Sequence, residues 1–245
     1  MNRRRFLAAS GLIWLPLPAH AQQTLYAMRF SALKPGAELP PDYVAHAFSS
    51  KKRRTQYTLV EEEGRTALRA RADASAAGIA RRLYLDARAM PLLSWSWKVT
   101  RLLQKSDITK RAGDDYPARL YVTFDLDAGS LPLGARLDHA LARTLLSGDV
   151  PTAALCYVWD TRAPAGSIRP NAFTGRVRMV VVESGAARLG RWLAYERDVA
   201  ADYRSAFGAE PPAVSGVAVS TDTDNTGETA ESFYGDVAFR ARRPA

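Results

Sequence analysis

The stretch "TDTDNTGETAESFYGDVAF", residues 221–239, gathers the oxygen-bearing side chains most able to hold a ligand. Asp222, Asp224, Asn225 and Glu228 fall within seven positions around Gly227. Oxygen donors so close in sequence suit calcium, a hard cation that takes about six to eight oxygen ligands. Asp222, Asp224, Thr226 and Gly227 occupy the first, third, fifth and sixth positions of the helix-loop-helix calcium pattern. The twelfth position, which should bring a bidentate glutamate, is Phe233. Glu228 would then complete the set in some other geometry, so the metal ligands to look for are Asp222, Asp224 and Glu228, with calcium as the cofactor. The alternative is plainer: Asp, Asn, Thr and Gly are turn formers, and "DNTG" can simply join two strands.

A second acidic pair, Asp114 and Asp115, lies in "KRAGDDYPARLYVTFD". Adjacent aspartates on an extended chain point to opposite sides, so they do not form an acid/base pair by themselves. Each either contacts a ligand or caps a turn through nearby backbone. Trp159 stands where the strand-like "ALCYVWD" gives way to the loop "TRAPAGSIRPNAF", a setting for a ring on which a sugar could stack. Together these features nominate Asp114, Asp115, Trp159, Asp222, Asp224 and Asn225 as ligand-binding residues.

Other chemistry finds little material. There is no Gly-x-Ser-x-Gly elbow, phosphate loop, dinucleotide fingerprint or His-Glu-x-x-His. Cys156 is the single cysteine, set among apolar neighbours, and reads as a buried small hydrophobe. Glu183, Glu196 and the acidic loops hold carboxylates enough for a glycoside hydrolase or lyase, whose acid pair must converge in space.

The elements that must position these residues read in the two-residue period of strands. "LLSWSWKV" alternates cleanly, with Leu93, Trp95, Trp97 and Val99 on the face that a core requires. "TQYTLVEEEGRTALRARA" gives two alternating runs about Glu63-Gly64, a hairpin signal. "IARRLYLD", "ARLYVTFDLD", "ALCYVWD", "GRVRMVVVES", "PAVSGVAVS" and "FYGDVAFR" add further strands, about nine in all by this pattern. Two short helices are expected: residues 136–148, and a segment with Asp198 as N-cap that stops at Gly208. Many strands, few helices and no βαβ alternation predict an all-β fold, an antiparallel β-sandwich with one or two short inserted helices. A closed barrel is the second choice.

The N-terminus carries an address. Arg3, Arg4 and Arg5 precede Phe6-Leu7, a short apolar stretch follows, and Ala19-His20-Ala21 offers small residues where a signal peptidase reads. Residues 1–21 are therefore expected to be a twin-arginine-type signal peptide and residues 22–245 a single periplasmic or secreted β-sandwich domain. Removing the three arginines lowers the formal net charge from +9 to +6. Basic residues are spread along the chain, and the one run, Lys51 to Arg54, has no aromatic interleaving. That pattern argues against nucleic acid and is compatible with an anionic envelope polymer.

Read in order, "LSWSWKV", "GDDYPARLYVTF", "LCYVW", "RDVAADYRSAFGAEPPAVSGVAVSTDTDNTG" and "SFYGDVAF" resemble a bacterial family catalogued as domain of unknown function 3047. The likeness runs from about Phe30 to Phe239 and implies an exported single domain, without assigning an activity. The last two blocks, "VAVSTDTD" and "YGDVAF", are also similar to the closing strands of galactose-binding-like jelly rolls, including many carbohydrate-binding modules. That likeness implies ligand contacts from rim loops or a concave sheet face, and a structural calcium. The expected function is binding of a carbohydrate or cell-envelope glycan without altering it. The alternatives are a polysaccharide-acting glycoside hydrolase or lyase, and an interaction subunit of an envelope assembly.

Overall fold

Glu63 and Gly64 both take positive φ, 52° and 77°. Two such residues in succession turn a chain with the twist that flanking strands need. β3 (Gln56–Glu62) therefore folds back on β4 (Arg65–Asp73), with Glu62 opposite Arg65. The computed structural model describes residues 24–46, 52–125 and 153–243. The signal segment expected over 1–21 and the helix expected over 136–148 lie outside these residues.

Thirteen described strands form two sheets. The first contains β11 (Leu193–Asp198), β6 (Leu92–Val99), β13 (Thr229–Arg240), β4 and β3, in that order. β1 (Thr24–Met28) pairs with the far half of β13. The second sheet runs β2 (Val44–His46), β5 (Ala76–Leu85), β12 (Val214–Asp222), β7 (Arg119–Phe124) and β8 (Ala153–Asp160). It ends with β10 (Val177–Ser184) and the short edge strand β9 (Ile168–Pro170). The sandwich expected from the alternation is present. One detail differs: β10 runs parallel to β8, while every other described strand pair is antiparallel. Alternation reports which face a residue takes and is blind to strand direction.

The layers meet through the predicted face of β6. Leu93, Trp95, Trp97 and Val99 are buried, and the Trp95 ring lies 5.0 Å from that of Tyr157 on the facing sheet. β8 is buried along its whole length because it is covered twice. Leu155, Tyr157 and Trp159 enter the central core, while Cys156 and Val158 face outward beneath Ile108, Tyr116, Met179 and Val181. The segment between β6 and β7 thus packs over the outside of the second sheet. Burial pushes the Cys156 thiol up to about 12, the setting of an inert small hydrophobe.

The helix α1 (Val199–Phe207) forms where its caps predict. Asp198 Oδ1 accepts from the Ala201 amide at 2.9 Å, and Gly208 closes the helix in the left-handed region.

Candidate functional site

β12 ends at Asp222, and the chain must reverse over 223–228 before β13 begins. Gly227 supplies the positive φ for that reversal, and its amide closes on the Thr223 carbonyl at 2.9 Å. Asp115 reaches this turn from the segment ahead of β7. Its Oδ2 accepts from the backbone amides of Asn225 (3.0 Å) and Thr226 (2.6 Å), and its Oδ1 accepts from Asn225 Nδ2 at 3.1 Å. Asp115 is fully buried, so these donors take the place of its lost hydration.

Asp222 points outward from the second sheet onto Arg119 of β7. Arg119 Nε donates to Oδ1 at 2.8 Å and its Nη2 lies 2.5 Å from Oδ2, a two-pronged pair. The same guanidinium donates to the Asp114 carbonyl and to the Tyr121 hydroxyl, and lies 4.4 Å from the Tyr116 ring centroid. Burial, joined by Asp115 and Asp114 nearby, pushes the Asp222 carboxyl up to about 7 against the pull of Arg119. Burial works against the charge of Arg119 too, but Asp222 beside it holds the guanidinium above its ordinary value. The Asp114 carboxylate accepts from Asn171 Nδ2, at 3.1 and 3.0 Å, and lies 3.7 Å from Arg119 Nη1. Asp224 is paired with Lys52.

Three carboxylates, those of Asp115, Asp222 and Asp224, bring oxygens within 4.8 Å of one another. Their partners are protein groups: amides for Asp115, Arg119 for Asp222 and Lys52 for Asp224. Glu228 stands apart from this set. Its two oxygens accept from the amides of Gln104 (3.0 Å) and Lys105 (3.1 Å), fixing the segment after β6. The acidic residues near 222 thus act as fasteners between distant segments. As an acid/base pair they are equally poorly placed, because Asp115 and Asp222 are buried and engaged.

Trp159 is not the stacking surface its position suggested. It is wholly buried, and its indole N–H donates to the Gly185 carbonyl at 3.0 Å. The strand extends to Asp160 and is covered on both faces there, so the ring points into the core.

What sequence reasoning missed is a groove on the first sheet, at the end where β13 begins. Gln56 lies opposite Arg71, and Arg71 opposite Glu231, so these side chains share a row across the strands. Arg53 and Arg54 border it on one side and Thr100, Arg101 and Thr229 on the other, enclosing about 650 Å³. An adjoining hollow of about 520 Å³ shares Thr100, Arg101 and Thr229 and continues past Gln104. Arg53 is paired with Asp73 at 3.0 Å and Arg71 with Glu231 at 3.4 Å. The acidic loop and this groove are joined: Asp224 holds Lys52 next to Arg53, and Glu228 anchors the segment that follows Arg101. The basic run at 51–54 was the one available sequence signal, and it reads as a solvated loop until the register sets Arg71 beside it.

The sequence profile of the family described as "Protein of unknown function (DUF3047)" matches residues 42–238. The chain belongs to that family. No curated protein sequence matches it. Among solved structures it is similar to the "Family 11 Carbohydrate-Binding Module of cellulosomal cellulase Lic26A-Cel5E of Clostridium thermocellum". Identity is 6%, the TM-score is 0.41, and the superposition covers 93% of this chain and 98% of that one.

Proposed function

We propose that this DUF3047 chain is an exported, non-catalytic β-sandwich that binds a carbohydrate of the cell envelope in the groove of the first sheet. The observation that carries this reading is the groove itself. Its 650 Å³ lies within the roughly 300–1,000 Å³ of small-molecule sites, and it continues into a second hollow, as an extended ligand requires. Hydrogen-bonding side chains border it throughout: Gln56, Thr100, Thr229 and the arginines. The groove's acids, Asp73 and Glu231, are each paired with an arginine, which favours holding a glycan over cutting it. The twin-arginine motif at Arg3 to Arg5 supports export to the periplasm. Calcium has no necessary part in this scheme, since the acidic loop already has protein donors.

A glycan array probed with the protein, paired with an assay for new chain ends, tests the reading. Binding to at least one envelope polysaccharide without release of reducing or unsaturated ends is expected. Silence across the array would overturn it, and so would the appearance of cleaved products.

A further inference from the structure

The groove also constrains which carbohydrate it can take. We infer that it recognises a glycan bearing carboxylates, read by Arg54 and Arg101; this rests on the carbohydrate reading above. Four guanidiniums border the groove, and two of them are neutralised, Arg53 by Asp73 and Arg71 by Glu231. Arg54 and Arg101 have no carboxylate partner among the described residues. Arg101 Nη1 donates to Thr229 Oγ1 at 2.5 Å, which steadies the side chain and leaves its other donors for a ligand. An arginine fork fits a carboxylate with two parallel hydrogen bonds, and such charge-assisted bonds are about twice as strong as neutral ones.

The rest of the lining points the same way. Among the described residues no aromatic side chain borders either hollow. A neutral sugar chain commonly gains affinity by laying its apolar ring faces on aromatic rings, and the described lining offers no such platform. Affinity must come from polar contacts, and the strongest unused donors are the two guanidiniums. They also sit apart. Arg54 precedes β3 and Arg101 follows β6, with β4 and β13 between those strands. Three strand spacings of about 4.8 Å place their backbones roughly 14 Å from each other. Arginines on opposite sides of the groove can each meet a separate carboxylate of a polymer lying across it. Arg101 borders both hollows, where a chain would pass from one to the other.

The test uses the full chain with oligogalacturonates and oligoglucuronates, each beside its methyl ester, which keeps the sugar and removes the charge. The acids should bind, the esters about tenfold or more weakly, and the difference should shrink as salt rises. Arg54→Gln and Arg101→Gln should each weaken binding of the acids by about tenfold and binding of the esters by much less, with the melting temperature unchanged. Both residues lie on the surface side of the groove, so loss of folding would show at once in the melt. Equal binding of acid and ester, or acid binding indifferent to both variants, overturns the inference and leaves carbohydrate binding standing. Failure of both acids, with neutral glycans bound on the array, does the same. Silence toward every glycan, charged or neutral, removes the carbohydrate reading itself.

Discussion

Asp115→Ala is the sharpest probe of the acidic loop. In the native fold its carboxylate accepts three hydrogen bonds from residues 225 and 226, across about half the chain. Alanine removes the acceptor and leaves the donors in place. Thr226 is buried, so its amide bears the full cost of going unpaired, about 1–3 kcal/mol. The Asn225 groups are half-buried and lose less, because water reaches them more easily. The sum is about 3 kcal/mol, which for a domain of this size lowers the melting temperature by roughly 6–12 °C. Asp115→Asn keeps one acceptor oxygen and should lose about half as much. Asp224→Ala provides the contrast: the Asp224 side chain is only 6% exposed, but its partner Lys52 is 44% exposed, so water rehydrates the ammonium left behind. That variant should cost less than about 1 kcal/mol. Thermal and urea unfolding followed by circular dichroism would measure all three. A melting temperature for Asp115→Ala within about 2 °C of the parent would refute the fastening role, and so would an Asp224→Ala loss equal to it.

Three further outcomes are expected. The Asp222 carboxyl is raised to about 7 in the fold against an unperturbed 3.8, so the folded state keeps its proton where the unfolded chain has released it. Stability should therefore lose a contribution as pH rises from about 4 to about 7, and Asp222→Asn should lack that component; parallel pH profiles for the two proteins would contradict it. Adding calcium or EDTA should leave the melting temperature unchanged, because a cation held only by the folded state must raise it, and the clustered oxygens are engaged by Arg119, Lys52 and backbone amides. A rise with calcium would restore the metal reading of Asp222 and Asp224. Cys156, buried with its thiol raised to about 12, should resist Ellman's reagent until the protein unfolds, and rapid labelling of the native protein would show that the cover over β8 opens readily.

Much of the frame was legible beforehand. Trp95 and Trp97 were assigned inward from alternation alone, the Glu63-Gly64 turn from composition, and α1 from Asp198 and Gly208, and each is where local chemistry placed it. The strands that escaped notice, β1, β2, β9 and β11, are short or lie at sheet edges. Such strands bury few residues on one face and so leave a weak periodic signal. Trp159 failed for a related reason: its strand is covered twice, and a strand buried on both faces has no alternation to show which ring is free.

The amino-acid sequence by itself determined where the longer strands lie, which faces turn inward and where the chain reverses, because these depend on neighbours a few residues away. Only the tertiary structure decided what the charged side chains do. Arg119 meets Asp222 across 103 positions, and Asp115 meets Thr226 across 111. Those meetings tie the acidic turn to segments far away in the chain. Strand register sets Arg71 beside Glu231 and, with Arg54 and Arg101 at the flanks, opens a basic groove. Period-two patterning carries no information about register or partner, since sliding a strand by two residues preserves every face and changes every neighbour.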